Sequence, residues 1–154
     1  MDGRAQDAPD AYASLKLQNQ ICFPLYACAR QVVKAYTPVL SELDLSYTQY
    51  ITMMVLWEEG CVNVKEVGRR LYLDSGTLTP VLKSLEAKGY ISRSRSLKDE
   101  RVLLVEPTKE GWALREKALA VPARMVSSSC LPLSEEQAAQ FSAMLWQILE
   151  KSET

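Results

Sequence analysis

A short helix, a tight turn and a second helix with a polar N-terminus are followed in this sequence by a charged two-stranded hairpin. Longer amphipathic helices flank them. That order predicts a mainly α fold with a small β-wing, a winged helix-turn-helix with helical extensions at both ends. Charge agrees with it. Nine basic residues against five acids lie between Lys65 and Arg101, so a chain of net charge -1 carries +4 in its middle and −5 elsewhere. A basic segment in an acidic frame is the electrostatic footprint of a nucleic-acid face. Size agrees as well: 154 residues, 47% of them hydrophobic, fill one domain.

Residues 1–14 are polar and rich in Ala and Pro and read as a disordered tail; 15–154 read as a single domain. Apolar residues at helical spacing (Leu25, Ala29, Val32, Val33, Tyr36, Leu40) mark the first helix. Pro24 is cheap only in a first turn, so this helix is expected to start near Phe23, with Cys22 at its N-terminal edge. Helicity over Leu15–Ile21 would be a separate turn or the near side of a kink. Ser46-x-x-Gln49 is a capping box that opens a second helix, Tyr47 to about Glu58, which Gly60 ends. Asn63-x-x-Glu66 opens a short third helix to about Leu71. The stripe Leu78, Val81, Leu82, Leu85 marks a fourth, ending at Lys88 with Gly89 as its stop.

Pro80 limits where that fourth helix begins. Regular helix is expected no earlier than Thr77 as N-cap, and a cap at Asp74 or Ser75 would require a distorted first turn. Tyr90–Arg95 and Arg101–Glu106 read as strands around the charged loop Ser96–Glu100, which puts the winged unit at about 46–107. Thr108 caps a fifth helix, about Lys109 to Met125. Ser134-x-x-Gln137 opens the last, with the stripe Ala138, Phe141, Leu145, Ile148 beside Met144 and Leu149.

Composition removes several chemistries. The chain has no histidine, which excludes a Ser-His-Asp triad, a Cys-His dyad and His-ligated zinc. Its four cysteines, Cys22, Cys28, Cys61 and Cys130, contain no C-x-x-C pair, against a zinc ribbon or a thioredoxin-type motif. No apolar run approaches the ~18 residues of a membrane helix, and the N-terminus shows no secretory pattern. The expected location is the cytoplasm, where thiols are kept reduced.

A helix N-terminus offers N–H groups to phosphate, and small hydroxyl residues let the backbone approach base edges. Ser75, Thr77 and Thr79 crowd the start of the fourth helix, and Lys83 lies one to two turns further in. On the hairpin, Arg93, Arg95 and Arg101 are placed to reach the sugar-phosphate backbone or a narrow minor groove. Winged helices also serve as protein-interaction modules, but the basic segment coincides with the motif and favours DNA.

The segment LYLDSGTLTPVLKSLEAKGYISRSRSLKDERVLLVEPTKEG resembles the recognition helix and wing of the multiple-antibiotic-resistance regulator (MarR) family, whose D-x-R wing signature is here Asp99–Arg101. LYLDSGTLTPVLK together with NQICFPLYACAR is similar to the organic-hydroperoxide-resistance regulators, over about Leu15 to Val121. The resemblance implies that Asp99 pairs with Arg101 and aims it into the minor groove, and that Ser75, Thr77, Thr79 and Pro80 meet the major groove. It implies a homodimer through the terminal helices, 15–45 and 108–154. Bound to a pseudo-palindromic double-stranded operator, that dimer would repress transcription and need no metal, cofactor or enzymatic activity.

Among the cysteines, Cys22 stands apart. A helix N-terminus favours the thiolate, the species that attacks a peroxide O–O bond to give sulfenic acid. No lysine or arginine adjoins it closely in sequence, so hydroxyl donors must help hold the anion. The resemblance assigns that task to Tyr36 and Tyr47, with Tyr26 one turn beyond Cys22. It also implies a resolving cysteine on the partner subunit after the fifth helix, where Cys130 is the candidate; without it a small thiol must finish the switch. Cys28 and Cys61 read as packing residues. Two rivals stay open: a MarR-type regulator that answers a small aromatic ligand, its cysteines incidental, and a thiol peroxidase that carries a winged helix.

Overall fold

The computed structural model describes residues 12–127 and 131–152. Of the tail expected over 1–14, residues 1–11 lie outside that range. Ala13–Leu15 and Leu17–Asn19 form two single 3-10 turns. Helix α1 covers Cys22–Ser41, with Pro24 at its third position, where no intrahelical partner is lost.

Helix α2 (Tyr47–Glu59) opens on the capping box: Ser46 Oγ accepts from the Gln49 amide at 3.2 Å, and Gln49 Oε1 accepts from the Ser46 amide at 3.0 Å. A two-residue strand, β1 (Val62–Asn63), precedes α3 (Val64–Leu71), whose N-cap Asn63 accepts from the Lys65 amide at 2.9 Å. Two residues carry no periodicity, so β1 left no trace in the sequence pattern.

Helix α4 covers Ser75–Ala87, so it begins ahead of the start that Pro80 was expected to impose. Asp74 is the cap. Its carboxylate accepts from the Thr77 amide at 2.9 Å and from the Thr77 hydroxyl at 3.0 Å. The Leu78 amide bonds the Asp74 carbonyl at 3.0 Å, a regular helical bond where distortion was expected. Pro80 then lies inside the helix, and its missing N–H leaves the Gly76 carbonyl without a helical partner. Gly76 is exposed, so water can reach that carbonyl and the proline is tolerated.

Strands β2 (Ile91–Arg95) and β3 (Leu103–Pro107) form the antiparallel wing, with Arg93 opposite Val105 and Arg95 opposite Leu103. β1 pairs with the other edge of β3, giving the order β1-β3-β2. The fifth helix does not run unbroken to Met125. It divides into α5 (Lys109–Ala118) and α6 (Val121–Ser127), because Pro122 has no N–H for the Ala118 carbonyl and its ring crowds that turn. Helix α7 (Glu135–Ser152) starts at the Ser134–Gln137 capping box.

The core lies where the end of α1 meets α2, α3, α4 and the wing: Leu40, Met53, Leu56, Val67, Leu78, Leu82, Leu85 and Val105 are fully buried or nearly so. At one edge the Trp57 indole donates to the Gly111 carbonyl at 2.8 Å. A Cβ on Gly111 would stand 2.0 Å from the Tyr90 carbonyl oxygen, so only glycine lets α5 start against the α4–β2 turn. The terminal helices differ. Phe23, Leu25, Tyr26 and Val33 on α1, and Phe141, Met144, Trp146 and Ile148 on α7, are exposed within one chain. No helix among the described residues is long and apolar enough to cross a membrane.

Candidate DNA interface and thiol site

Leu78, Leu82 and Leu85 bury one face of α4, which turns Ser75, Thr77, Thr79, Pro80 and Lys83 outward, all exposed. Two of the hydroxyls are already spoken for as donors. Thr77 donates to Asp74, and Thr79 donates to the Ser75 carbonyl at 2.6 Å. What they present outward is acceptor lone pairs and methyl groups, suited to base amino groups and thymine methyls. Hydrogen bonds from the Thr77 amide and hydroxyl hold the Asp74 carboxyl below its ordinary range.

At the wing tip Asp99 accepts from Arg101 three times: from its amide and its Nε at 3.0 Å each, through Oδ1, and from Nη2 at 3.2 Å through Oδ2. The guanidinium lowers the Asp99 pKa, and the Arg101 side chain stays 91% exposed. Arg95 donates from Nη1 to the Glu100 carbonyl at 3.2 Å, which braces the same loop. Arg93 is different: its guanidinium turns back to Glu86 on α4.

Cys22 is an exposed free thiol at the first residue of α1, and Cys28 and Cys61 are also exposed rather than packed in the core. Cys130 lies outside the described residues. The helix start offers Cys22 less than the sequence suggested. The Phe23 amide is committed to the Gln20 carbonyl at 3.2 Å, and Pro24 has no N–H. One turn on, Arg30 Nη1 donates to the Tyr26 hydroxyl at 3.3 Å and its guanidinium lies 5.6 Å from the ring centroid. Tyr26 thus accepts from a cation and keeps its own proton to give. The Tyr26–Arg30 spacing was visible in the sequence as an i, i+4 pair, and Arg30 was the residue that went unread.

Tyr36 and Tyr47 meet each other, with ring centroids 4.9 Å apart, and Tyr50 stacks 6.1 Å from Tyr36. Burial pushes the Tyr47 phenol up from its ordinary value, so it remains a proton donor at neutral pH. Within one chain this pair is remote from Cys22: 14 residues of helix separate Cys22 from Tyr36, about 21 Å along the axis. On α2, beside Tyr50 in sequence, buried Gln49 is tied to α4 at two points. Its amide nitrogen donates to Ser84 Oγ on α4 at 2.9 Å, while Lys88 Nζ lies 3.2 Å from its Oε1 and bonds the Asp44 carbonyl. Among the described residues no cluster of His, Cys, Asp and Glu could hold a metal ion.

An outward-facing helix N-terminus beside an arginine-tipped wing defines the class of winged-helix regulators. The family profile described as Transcriptional regulator SarA/Rot matches residues 34–117. The organic hydroperoxide resistance transcriptional regulator of Bacillus subtilis (strain 168) is 44% identical over 136 residues, 88% of this chain and 91% of its own. The structure of reduced AbfR bound to DNA superposes with a TM-score of 0.74 at 31% identity, over 92% of this chain and 97% of that one. A mutant MarR from E. coli, complexed with operator DNA, shares the fold with a TM-score of 0.78 at 21% identity, over 91% of this chain and 99% of that one. The chain belongs to the SarA/Rot family of transcriptional regulators, with an organic-hydroperoxide-resistance regulator among its relatives.

Proposed function

We propose that this chain is a cytoplasmic homodimeric repressor that holds double-stranded operator DNA when reduced and releases it when an organic hydroperoxide oxidises Cys22. The observation that carries this is the setting of Cys22: an exposed thiol at the start of a helix that leaves Phe23, Leu25, Tyr26 and Val33 uncovered among the described residues. A second copy laid along that face in the opposite sense brings Cys22 to the partner subunit's Tyr36 and Tyr47. Residues 15–45 and 108–154 are then the dimerisation helices, and 46–107 read the DNA. Ser75, Thr77, Thr79, Pro80 and Lys83 meet the major groove, and Arg95 and the Asp99–Arg101 pair meet the backbone and minor groove.

The chemistry balances without metal or cofactor. The Cys22 thiolate attacks the distal peroxide oxygen, the O–O bond breaks, and the alcohol leaves with a proton, giving sulfenic acid. Tyr26 and the partner's Tyr36 and Tyr47 donate to the thiolate beforehand. The thiol of Cys130 on the partner subunit then condenses with the sulfenic acid, expelling water and forming a disulfide. That last pairing rests on the resemblance alone.

A second reading has one observation in its favour. A groove of about 560 Å³ between α1, α6 and the start of α7, lined by Val32, Tyr36, Met125, Leu131 and Leu133 among others, could take a small aromatic ligand. Stoichiometry separates the readings. We expect about one equivalent of cumene hydroperoxide consumed per subunit and none in Cys22→Ser. Sustained consumption with a reductant present would make the chain a thiol peroxidase. DNA release by hydroperoxide that persists in Cys22→Ser would make the cysteine incidental and leave the groove as the sensor.

A further inference from the structure

Three arginines project from the wing, and one is placed unlike the others. Arg101 is 91% exposed at the tip, whereas the Arg93 side chain is only 20% exposed and points back across the turn. Its Nε and Nη2 both donate to Glu86 Oε2, at 3.1 and 2.5 Å. Glu86 stands on the last turn of α4, and Arg93 is the middle residue of β2. Between them the backbone turns at Gly89, φ +77°, with the Tyr90 amide on the Leu85 carbonyl at 3.0 Å. The ion pair closes this turn from outside and fastens the wing to the recognition helix. The guanidinium holds the Glu86 carboxyl below its usual range, so the pair stays charged at neutral pH.

We propose that Arg93 is a positioning residue: through Glu86 it fixes the angle between the recognition helix and the wing, and it makes no contact with DNA. Two surfaces must enter neighbouring grooves at once, and a wing free to swing loses orientation that binding must then restore. The proposal rests on the DNA-binding part of the proposed function, and the test keeps the two apart.

Electrostatics and geometry predict opposite signs for Glu86→Gln. If Arg93 contacted a phosphate, removing the carboxylate would free the guanidinium and take one negative charge from the protein, and binding would tighten. If the pair positions the wing, the same change weakens binding. We expect Glu86→Gln and Arg93→Met each to weaken binding about tenfold in fluorescence anisotropy, on a duplex from upstream of the chain's own gene. The double variant should be no worse than either single, because both remove one interaction. The slope of log K against log salt should match the wild type, whereas a lost phosphate contact lowers it by about 0.9. Tighter or unchanged binding by Glu86→Gln, or a flattened slope in Arg93→Met, overturns the proposal. Should Arg93→Met fail to fold by circular dichroism, Glu86→Gln decides alone. A wild type that binds no duplex defeats the DNA-binding reading itself, and this one with it.

Discussion

Arg101 and Arg93 are equivalent by composition and charge, and eight residues of chain give them different surroundings. The Asp99–Arg101 contact spans two residues, so a sequence motif can encode it. The Glu86–Arg93 contact crosses a helix stop and a turn, and no spacing rule announces it. Arg101, aimed outward, should behave as a phosphate or groove contact. Arg101→Ala is expected to weaken duplex binding at least about tenfold and to lower the salt slope by about 0.9; an unchanged slope would remove Arg101 from the interface. Gly111 is a residue-scale constraint of another kind. Gly111→Ala must displace the Tyr90 carbonyl or the start of α5 to seat its methyl, at a cost of about 1–3 kcal/mol. Equal urea midpoints for variant and wild type would refute it.

Helix boundaries show what local pattern can and cannot carry. The capping boxes at Ser46 and Ser134 were legible because each is closed by residues three apart. The start of α4 lies ahead of the Thr77 cap that Pro80 suggested, because the Asp74 cap and an exposed Gly76 carbonyl offset the proline without the distortion expected of a cap there. In the fifth helix the balance went the other way. Pro122 had no such cap before it, and it divides α5 from α6.

Carboxylates also join the elements. Glu42 accepts twice from Arg124 at 2.7 Å and so ties the end of α1 to α6, and Arg124, Arg69 and Arg93 hold Glu42, Glu66 and Glu86 below their ordinary values. A carboxylate whose folded pKa is lowered contributes stability above its unfolded pKa and loses it as pH falls through the folded value. The midpoint of thermal unfolding should therefore be flat from neutrality to about pH 5 and fall below about pH 4. A midpoint that rises on acidification from about pH 5 to about pH 3 would contradict these assignments.

Across the whole molecule, the winged unit is a closed core and the terminal helices are open surfaces. Fold class and winged unit were legible because hydrophobic stripes and capping residues are local. The residues of the candidate thiol site came from the resemblance and not from periodicity, because Cys22 and the Tyr36–Tyr47 pair lie a helix length apart and no one-chain pattern joins them. The proposed dimer would account for both facts: light scattering should then return twice the chain mass, with Ile148→Asp on exposed α7 shifting it toward monomer. A monomeric wild type would separate Cys22 from its proposed donors. Buried Gln49, two residues after Tyr47 on α2, is bonded to Ser84 on α4.

Fluorescence anisotropy on a duplex from the chain's own upstream region, comparing reduced protein with protein given one equivalent of cumene hydroperoxide, tests the switch most directly. Binding by the reduced dimer, its loss on oxidation and its return with dithiothreitol are the expected results. Binding that ignores the oxidant would contradict the thiol switch and return Cys22 to the status of an ordinary surface residue.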